Sequence, residues 1–188
     1  MNAPPSSPPP SPLEHAVGRL DDAVDRAFDR YLRGRPLVDR AMYSITEVAD
    51  FSVLWHLVSA ARAAQGERNH ASSLRLSLGL MAQGTLVDGL LKSLVKRERP
   101  VPEFERPHNL RIPLTTSFPS GHASAAFCAA GLLSEGSRFG PAWYGLATVV
   151  AASRVHVKIH HASDVLVGAA VGATVAQVVK RVWPLRRR

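Results

Sequence analysis

The feature that most limits the fold is a series of five short apolar stretches, which begins at Phe51 and is interrupted by polar or basic turns. The stretches read FSVLWHLVSAARAA, LRLSLGLMAQGTLVDGLL, ASAAFCAAGLLS, PAWYGLATVVAAS and VLVGAAVGATVAQVV. A half-buried strand would alternate apolar and polar residues, and no alternation of useful length is present. The pattern therefore predicts an all-α chain, in which these segments pack together as helices.

The hydropathy of these stretches is compatible with both a membrane and a soluble bundle. None reaches the roughly 18 uninterrupted apolar residues that identify a spanning helix by themselves. Helices in a bundle nevertheless tolerate polar residues on protein-facing sides, and Lys180 and Arg181 can extend to a membrane surface. Gly168 and Gly172 have the spacing that lets two helices approach closely, in either kind of bundle.

An amphipathic helix precedes the bundle and begins at Ser11. The sequence Ser-Pro-Leu-Glu supplies an N-cap, a proline in the first turn and Glu14 for a capping box. Apolar residues recur at helical spacing opposite a charged face, namely Leu13, Val17, Leu20, Val24, Phe28 and Tyr31. Gly34 and Pro36 end the helix, which either lies on a membrane surface or packs against the rest of the protein. A second helix is expected over residues 37–48.

The chain length of 188 residues suits one domain with a sizeable core. We predict a disordered Pro/Ser-rich tail at 1–10, amphipathic helices at 11–50, a helical bundle at 51–184 and a basic tail at 185–188. The opening MNAPPSSPPPSP lacks the basic start and apolar stretch of a secretory signal. Cys128 is the single cysteine, which excludes an internal disulfide, and we expect its side chain to be buried.

The positive charge of the chain is confined to its second part. Residues 1–50 carry six Lys or Arg and eight Asp or Glu, a net charge of −2. The remaining 138 residues carry 17 and seven, a net charge of +10. Such an excess suggests a partner that bears phosphate, whether nucleic acid, anionic lipid or a phosphorylated substrate.

Two short blocks in this basic part carry residues suited to phosphate binding. KSLVKRERP, at residues 92–100, places basic side chains at the end of an apparent helix. SFPSGHASAAF, at residues 117–127, places Pro-Ser-Gly-His before an Ala-rich helical run. Because backbone N–H groups at a helix start point outward unpaired, Ser120 and Gly121 are candidate donors to an anion. His122 is placed where a protonated imidazole can reach a phosphoester oxygen.

A third block, SRVHVKIHHASD, contains three of the eight histidines of the chain. The imidazole of His160 can attack phosphorus, and Asp164, one helical turn later, can hold the other ring nitrogen in the right tautomer. Arg154 joins Lys92 and Arg99 as a set of cations, because arginine offers paired donors to phosphate oxygens. The three blocks together contain a nucleophile, an orienting group, an acid and cations.

In this order and spacing, the three blocks resemble the complete signature of the type 2 phosphatidic acid phosphatase superfamily. The match reads Lys92, six residues, Arg99-Pro100; Pro119-Ser120-Gly121-His122; and Ser153-Arg154, five residues, His160, three residues, Asp164. The resemblance implies a helical bundle that hydrolyses phosphomonoesters or pyrophosphates without a metal or other cofactor. It implies that His160 forms a phosphohistidine, that Asp164 is its partner and that His122 is the general acid. The residues implied to bind the phosphoryl group are Lys92, Arg99, Ser120, Gly121 and Arg154.

Within that superfamily, the short repeated apolar segments and the missing secretion signal favour an integral membrane lipid phosphatase over a soluble acid phosphatase. We therefore expect a membrane-embedded bundle of about five to six helices with an N-terminal amphipathic helix. The expected substrate is phosphatidic acid, a polyprenyl pyrophosphate or a phosphorylated polyprenyl sugar. Residues 101–117 leave little room for an inserted substrate domain, so specificity must come from the bundle. The terminal Arg cluster predicts a cytoplasmic C-terminus in the cell membrane, with the catalytic side facing outward.

A metal site is one alternative to this interpretation. His156, His160 and Asp164 are spaced four apart and would line one helical face as metal ligands. This alternative leaves the nearby cations without a purpose, and those cations would oppose a metal ion. We therefore expect no metal.

A binding protein without catalytic activity is the other alternative. It would use Lys96, Arg97 and the terminal Arg186 to Arg188 to hold anionic lipid or nucleic acid. This explains the charge but not the ordered histidines. We therefore expect a lipid phosphate as the partner and no nucleic acid.

Overall fold

The computed structural model describes residues 11–103 and 105–185, apart from the side chains of Phe51 and Arg68. Seven helices account for most of this part: α1 (Pro12–Tyr31), α2 (Pro36–Val48), α3 (Val53–Ala63), α4 (His70–Gly84), α5 (Gly121–Leu133), α6 (Gly140–His156) and α7 (Ala162–Val182). Short 3-10 turns, Asp50–Ser52 and Glu67–Asn69, precede α3 and α4. No strand occurs in the described ranges, so the all-α prediction is confirmed.

The helical backbone continues without a break after the end of α4. A π-helical stretch, Thr85–Leu91, follows directly and leads into a final turn, Lys92–Leu94. A π-helical stretch inside a helix often accompanies a functional site, because it shifts the direction of the side chains that follow. In this chain the stretch directly precedes Lys92, at the end of the bundle.

The start of α1 follows the capping signals in the sequence. Glu14 N–H donates to Ser11 Oγ (3.3 Å), and Ser11 N–H donates to Glu14 Oε2 (2.6 Å), which completes the predicted capping box. The second helix, expected over residues 37–48, runs from Pro36 to Val48. The tail predicted at residues 1–10 and residues 186–188 of the predicted basic tail lie outside the described residues.

Helix α5 is the centre of the bundle and packs against α4, α6 and α7. Its Ala-rich sequence keeps its surface narrow, and Cys128 is fully buried there, as predicted. Helix α7 approaches α5 so closely that a Cβ atom at Gly168 would lie 2.4 Å from Ser120 O, and one at Gly172 would lie 2.0 Å from Ser124 O. The two glycines therefore allow the tight α5–α7 contact, because any larger residue would displace one helix.

The two N-terminal helices pack against this bundle. Helix α2 lies on α6, and α1 contacts α6 and α7. Val24 and Phe28 of α1 reach the small apolar cluster around Ala123 and Val155. Of the two positions left open for α1, the structure therefore shows the one packed against the rest of the protein.

The outer surface of the bundle carries many large apolar side chains. Those exposed on α3, α4 and α7 include Leu57, Leu74, Leu78, Met81, Leu166 and Val178. Within the described residues, one helix, α7 with 21 residues, is long and apolar enough to cross a membrane, and α5 is apolar but shorter. Large exposed apolar areas of this kind mark contact with a membrane or a partner.

Candidate active site

A cavity of about 370 Å³ lies at one end of the bundle. It is bordered by residues from all three sequence blocks and from the turn before α3, including Asp50, Lys92, Arg99, Gly121, His122 and His160. These residues come together because three connections meet at this end: the turn before α3, the segment that leads from the end of α4 to α5, and the loop at 157–161 between α6 and α7. The cavity is the candidate active site.

The two ring nitrogens of His160 face different surroundings. Nε2 lies 3.4 Å from Arg99 Nη1, on the side of the cavity. Nδ1 lies 3.4 Å from Ser117 Oγ and 3.8 Å from Asp164 Oδ2, on the buried side. Ser117 donates to the same Asp164 oxygen (2.5 Å) and so stands between the two groups. This arrangement favours the tautomer with the proton on Nδ1, which leaves the Nε2 lone pair directed at the cavity.

His160 is held as a neutral imidazole. Its residue is 3% exposed. Burial, aided by the guanidinium charges of Arg154 and Arg99, lowers the pKa of His160 to about 3, against the opposing influence of Asp164. The ring is therefore unprotonated at ordinary pH, the form that a nucleophile requires.

Asp164 is completely buried in the first turn of α7 and is fully hydrogen-bonded. Its Oδ2 accepts from Ser117 and from the backbone N–H of His161 (2.9 Å), and its Oδ1 accepts from Arg97 (2.6 Å). A carboxylate with this many donors is fixed in position and stays charged. Sequence reasoning missed Ser117 and assigned Arg97 only to the alternative of a binding protein.

Arg154 is a buried cation with unused donors. It is 1% exposed, and its Nη1 donates to Thr46 Oγ1 (2.5 Å). Among the described residues, its Nε and Nη2 have no hydrogen-bond partner. Since unsatisfied buried donors are costly, an anion next to Arg154 would stabilise the site.

The other two predicted cations lie on the cavity wall. Lys92 Nζ is 2.6 Å from Asp88 Oδ1 and donates to Thr115 Oγ1 (3.2 Å). Arg99 donates to the carbonyl oxygens of Thr115 (3.0 Å) and Ile159 (3.0 Å), which fixes its guanidinium against the loop that carries His160. Both cations thus occupy defined positions beside the nucleophile.

The two predicted backbone donors at the start of α5, Ser120 and Gly121, have different positions relative to the cavity. The N–H of Ser120 donates to the carbonyl oxygen of Asp164 (3.0 Å), and Ser120 is fully buried, so this N–H is not directed at the cavity. Its hydroxyl instead caps α5 by accepting from Ala123 N–H (3.4 Å). Gly121 does border the cavity, and a Cβ atom there would lie 3.4 Å from Asp88 Oδ1.

His122 has a carboxylate partner that the sequence did not reveal. Its Nε2 lies 2.7 Å from Asp50 Oδ1, in the 3-10 turn before α3. Burial tends to raise the pKa of Asp50, but the hydrogen bond from His122 and the charges of His122, Arg154 and Arg111 outweigh it and lower that pKa. Burial, together with the charges of Arg154 and Lys92, lowers the pKa of His122, although the hydrogen bond and the charge of Asp50 oppose this shift.

The alternative of a metal site at His156, His160 and Asp164 required one continuous helical face, and that assumption is wrong. Helix α6 ends at His156, and α7 begins only at Ala162. His156 Nε2 instead pairs with Asp39 Oδ1 (2.8 Å), beside a separate cavity of about 300 Å³. In the described ranges, no three His, Cys, Asp or Glu side chains are grouped to hold a metal ion.

Two proteins of similar sequence are named decaprenylphosphoryl-5-phosphoribose phosphatase. The one from Mycobacterium tuberculosis (strain ATCC 25618 / H37Rv) is 38% identical over 102 residues, which cover 53% of this chain and 55%, about half, of that protein. The one from Mycolicibacterium smegmatis (strain ATCC 700084 / mc(2)155) is 33% identical over 152 residues, which cover 80% of this chain and 82% of that protein.

Two solved structures have a similar fold. A transmembrane PAP2 type phosphatidylglycerolphosphate phosphatase from Bacillus subtilis aligns with a TM-score of 0.72 and 26% identity, over 92% of this chain and 90% of that one. LpxE from Aquifex aeolicus aligns with a TM-score of 0.66 and 24% identity, over 85% of this chain and 93% of that one, and shows the fold alone. The family profile described as PAP2 superfamily matches residues 73–188. The chain belongs to the PAP2 superfamily.

Proposed function

We propose that the protein is a metal-independent lipid phosphatase that works through a phosphohistidine on His160. The observation that carries this proposal is the cavity itself, in which a neutral imidazole with its Nε2 directed at the cavity faces cations and a second histidine. The unused donors of Arg154 add to it, because they are suited to the oxygens of a phosphoryl group. The relatives named as phosphatases support the same reaction.

In the first step, Lys92, Arg99, Arg154 and the N–H of Gly121 hold the phosphoryl oxygens. His160 Nε2 attacks phosphorus, the N–P bond forms and the bond from phosphorus to the leaving oxygen breaks. The proton on Nδ1 remains there, and the positive charge of the phosphorylated ring is balanced by Asp164 through Ser117.

His122 completes both halves of the reaction. The negative charge of the bound phosphoryl group, together with Asp50, favours the protonated form of His122 against burial. Protonated His122 donates its proton to the leaving oxygen, so the product departs as an alcohol or a phosphate. Neutral His122 then takes a proton from water as the water oxygen attacks phosphorus and the N–P bond breaks. This returns His160 to its neutral form and His122 to its protonated form, held by Asp50.

We propose a lipid substrate because the π-helical stretch that contributes Asp88 to the cavity also borders an apolar groove. The groove, about 410 Å³, is bordered by Leu86, Leu91, Val167, Val171 and Val175, between the π-helical stretch and α7. Its residues Leu86 and Leu91 flank Asp88 and adjoin Lys92 in sequence, so a lipid chain in the groove would bring its phosphate to the cavity. Among the expected substrates, the names of the mycobacterial relatives favour a phosphorylated polyprenyl sugar.

We propose that the bundle is embedded in the cell membrane with the cavity facing outward. The exposed apolar side chains of α3, α4 and α7 support the embedding. The ends of the helices away from the cavity carry Arg62, Arg138, Lys180 and Arg181, as expected of a cytoplasmic face, and we assign the cations at the cavity end to phosphate binding instead of to orientation.

Single-cysteine labelling tests this orientation. Because Cys128 is buried, labelling reagents should react with an introduced, exposed cysteine instead. Leu114 is exposed near the cavity, and Gln65 is exposed at the other end of the bundle. We expect a membrane-impermeant maleimide to label Leu114→Cys in intact cells and Gln65→Cys only after permeabilisation. The reverse pattern would rule out the outward orientation.

Phosphate release from a panel of lipid phosphates and pyrophosphates, measured with purified protein in detergent and excess EDTA, tests the proposed function. We expect wild type to be active and His160→Ala to be inactive. The matched control is His15→Ala, which removes an exposed histidine of α1. Activity lost to EDTA would favour a metal mechanism, and no release from any substrate would favour a binding protein.

A further inference from the structure

We propose that α1 is part of the catalytic apparatus, and that Asp21 is a positioning residue for the Asp164–His160 pair. This rests on the proposed function and extends it to a segment that lies outside residues 73–188, the part matched by the family profile. Asp21 is the one buried residue of α1. A buried carboxylate is stable only where donors surround it, so its partners indicate what it does.

Asp21 reaches the start of α7 directly. Its Oδ1 accepts from the backbone N–H of Ser163 (2.7 Å), and its Oδ2 accepts from the Ser163 hydroxyl (2.8 Å). Ser163 immediately precedes Asp164. The carboxylate of Asp21 thus fixes the first turn of α7, from which Asp164 projects.

Arg97 connects Asp21 to Asp164. Its Nη2 donates to Asp21 Oδ2 (2.7 Å), and its Nη1 donates to Asp164 Oδ1 (2.6 Å) and to Ser163 Oγ (2.7 Å). With Asp21 in place, one guanidinium is shared between two carboxylates, and the second oxygen of Asp164 stays with Ser117, on the side of His160. Without Asp21, Arg97 is free to turn both of its terminal nitrogens to Asp164 and draw that carboxylate away from His160.

The same helix also holds the loop that carries His160. Asp25 pairs with Lys158 (2.9 Å), a non-glycine residue with φ of 51°, in the left-handed region. Two residues after the end of α1, Arg33 donates to the carbonyl oxygens of Val155 (2.6 Å) and His156 (2.8 Å), at the end of α6. An unfavourable backbone conformation next to a functional residue persists only when surrounding contacts enforce it, and α1 supplies these contacts.

Asp21→Asn tests the proposal, with Asp22→Asn as the matched control. Asp22 is the next residue of α1 and is exposed, so the control makes the same change in charge without touching the network. In steady-state assays of folded protein, we expect Asp21→Asn to lower kcat at least tenfold with KM changed less than threefold, and Asp22→Asn to match wild type. A kcat for Asp21→Asn within twofold of the control would overturn the proposal.

Two further measurements separate positioning from a general loss of structure. If Asp21 acts through Arg97, Asp21→Asn should lower kcat less than twofold in an Arg97→Gln background. If the two substitutions instead lower kcat independently, so that their fold-changes multiply in the double variant, the proposal is contradicted. If Asp21→Asn does not fold, Arg97→Lys tests the same bridge, because lysine keeps the charge but cannot span both carboxylates. Full kcat in a folded Arg97→Lys protein would also overturn the proposal.

Binding of orthovanadate, a mimic of the transferring phosphoryl group, gives a readout that needs no turnover. We expect the Kd of Asp21→Asn to rise at least tenfold and that of Asp22→Asn to stay at the wild-type value. Equal affinities in the two variants would count against the positioning role alone. A wild type that neither hydrolyses a phosphate nor binds orthovanadate would instead refute the proposed function, and the role of α1 with it.

Discussion

Replacing Asp50 by asparagine should selectively disable the leaving-group step. Asp50 Oδ1 lies 2.7 Å from His122 Nε2, and the two side chains are 23% and 15% exposed, so water screens the pair only weakly. A hydrogen bond to a charged group such as the Asp50 carboxylate is worth about 1.5–3 kcal/mol. Since each 1.36 kcal/mol is a factor of about ten in rate, kcat for an alkyl or lipid phosphate should fall roughly ten- to a hundredfold.

The prediction is tested by measuring how the loss of activity in Asp50→Asn depends on the leaving group of the substrate. A p-nitrophenolate ion leaves without protonation, whereas an alkoxide needs the proton of His122. Across a series of phosphomonoesters, we expect Asp50→Asn to lose little activity on p-nitrophenyl phosphate and progressively more as the leaving group becomes more basic. Because the protonated form of His122 loses its partner, the alkaline limb of kcat/KM should also move to lower pH.

The control is Glu47→Gln, which removes an exposed carboxylate near the end of α2. It should behave as wild type across the whole series. An equal loss on every leaving group, or no loss on any, would show that Asp50 does not act through the proton of His122.

Two further predictions concern the pH profile and the helix packing. Because the pKa of His160 is lowered to about 3, its imidazole stays neutral above that pH, and kcat/KM corrected for substrate ionisation should show no acid limb from this residue near pH 6.5. An acid limb near pH 6.5 that coincides with the titration of the His160 imidazole, followed by NMR, would contradict the assignment. Gly172→Ala should lower the free energy of unfolding by about 1–3 kcal/mol through a clash with Ser124, whereas Gly145→Ala, with open space around it, should not destabilise the protein in thermal unfolding.

The sequence was most informative where short-range chemistry decides the structure. The capping box at Ser11 depends only on neighbouring residues. The four-residue spacing of Gly168 and Gly172 places both on one helical face, which predicted the close helix contact. Of the residues that the three blocks predicted, five border the cavity, namely Lys92, Arg99, Gly121, His122 and His160. Spacing alone does not reveal these tertiary contacts, and the resemblance to a known signature is what linked the blocks.

The partners that the sequence missed lie far from the site along the chain. Asp50 is 72 residues from His122, and Asp21 is 76 residues from Arg97. In a helix with many acidic residues, buried Asp21 looks no different from its exposed neighbour Asp22, because the arginine that distinguishes them is brought in by the tertiary fold. Long-range ion pairs of this kind leave no periodic signal.

Spacing also misled where the chain leaves a helix. The four-residue spacing of His156, His160 and Asp164 is a helical pattern, yet the loop at 157–161 interrupts the helix. Lys158 adopts the left-handed conformation there, which propensity does not favour, and its ion pair with α1 supports it. The loop separates His156 from the cavity and leaves His160 as the histidine of this block beside the cations.

The most direct test of the account is to trap the phosphoryl group on His160. In His122→Ala, an activated aryl phosphate should still phosphorylate the enzyme, because its leaving group needs no acid, whereas the attack of water should be slow. We predict an acid-labile, alkali-stable phosphoryl group on the peptide that contains His160, and none in the double variant with His160→Ala. Turnover by wild type without any such intermediate, or a phosphoryl group on another residue, would contradict the central claim.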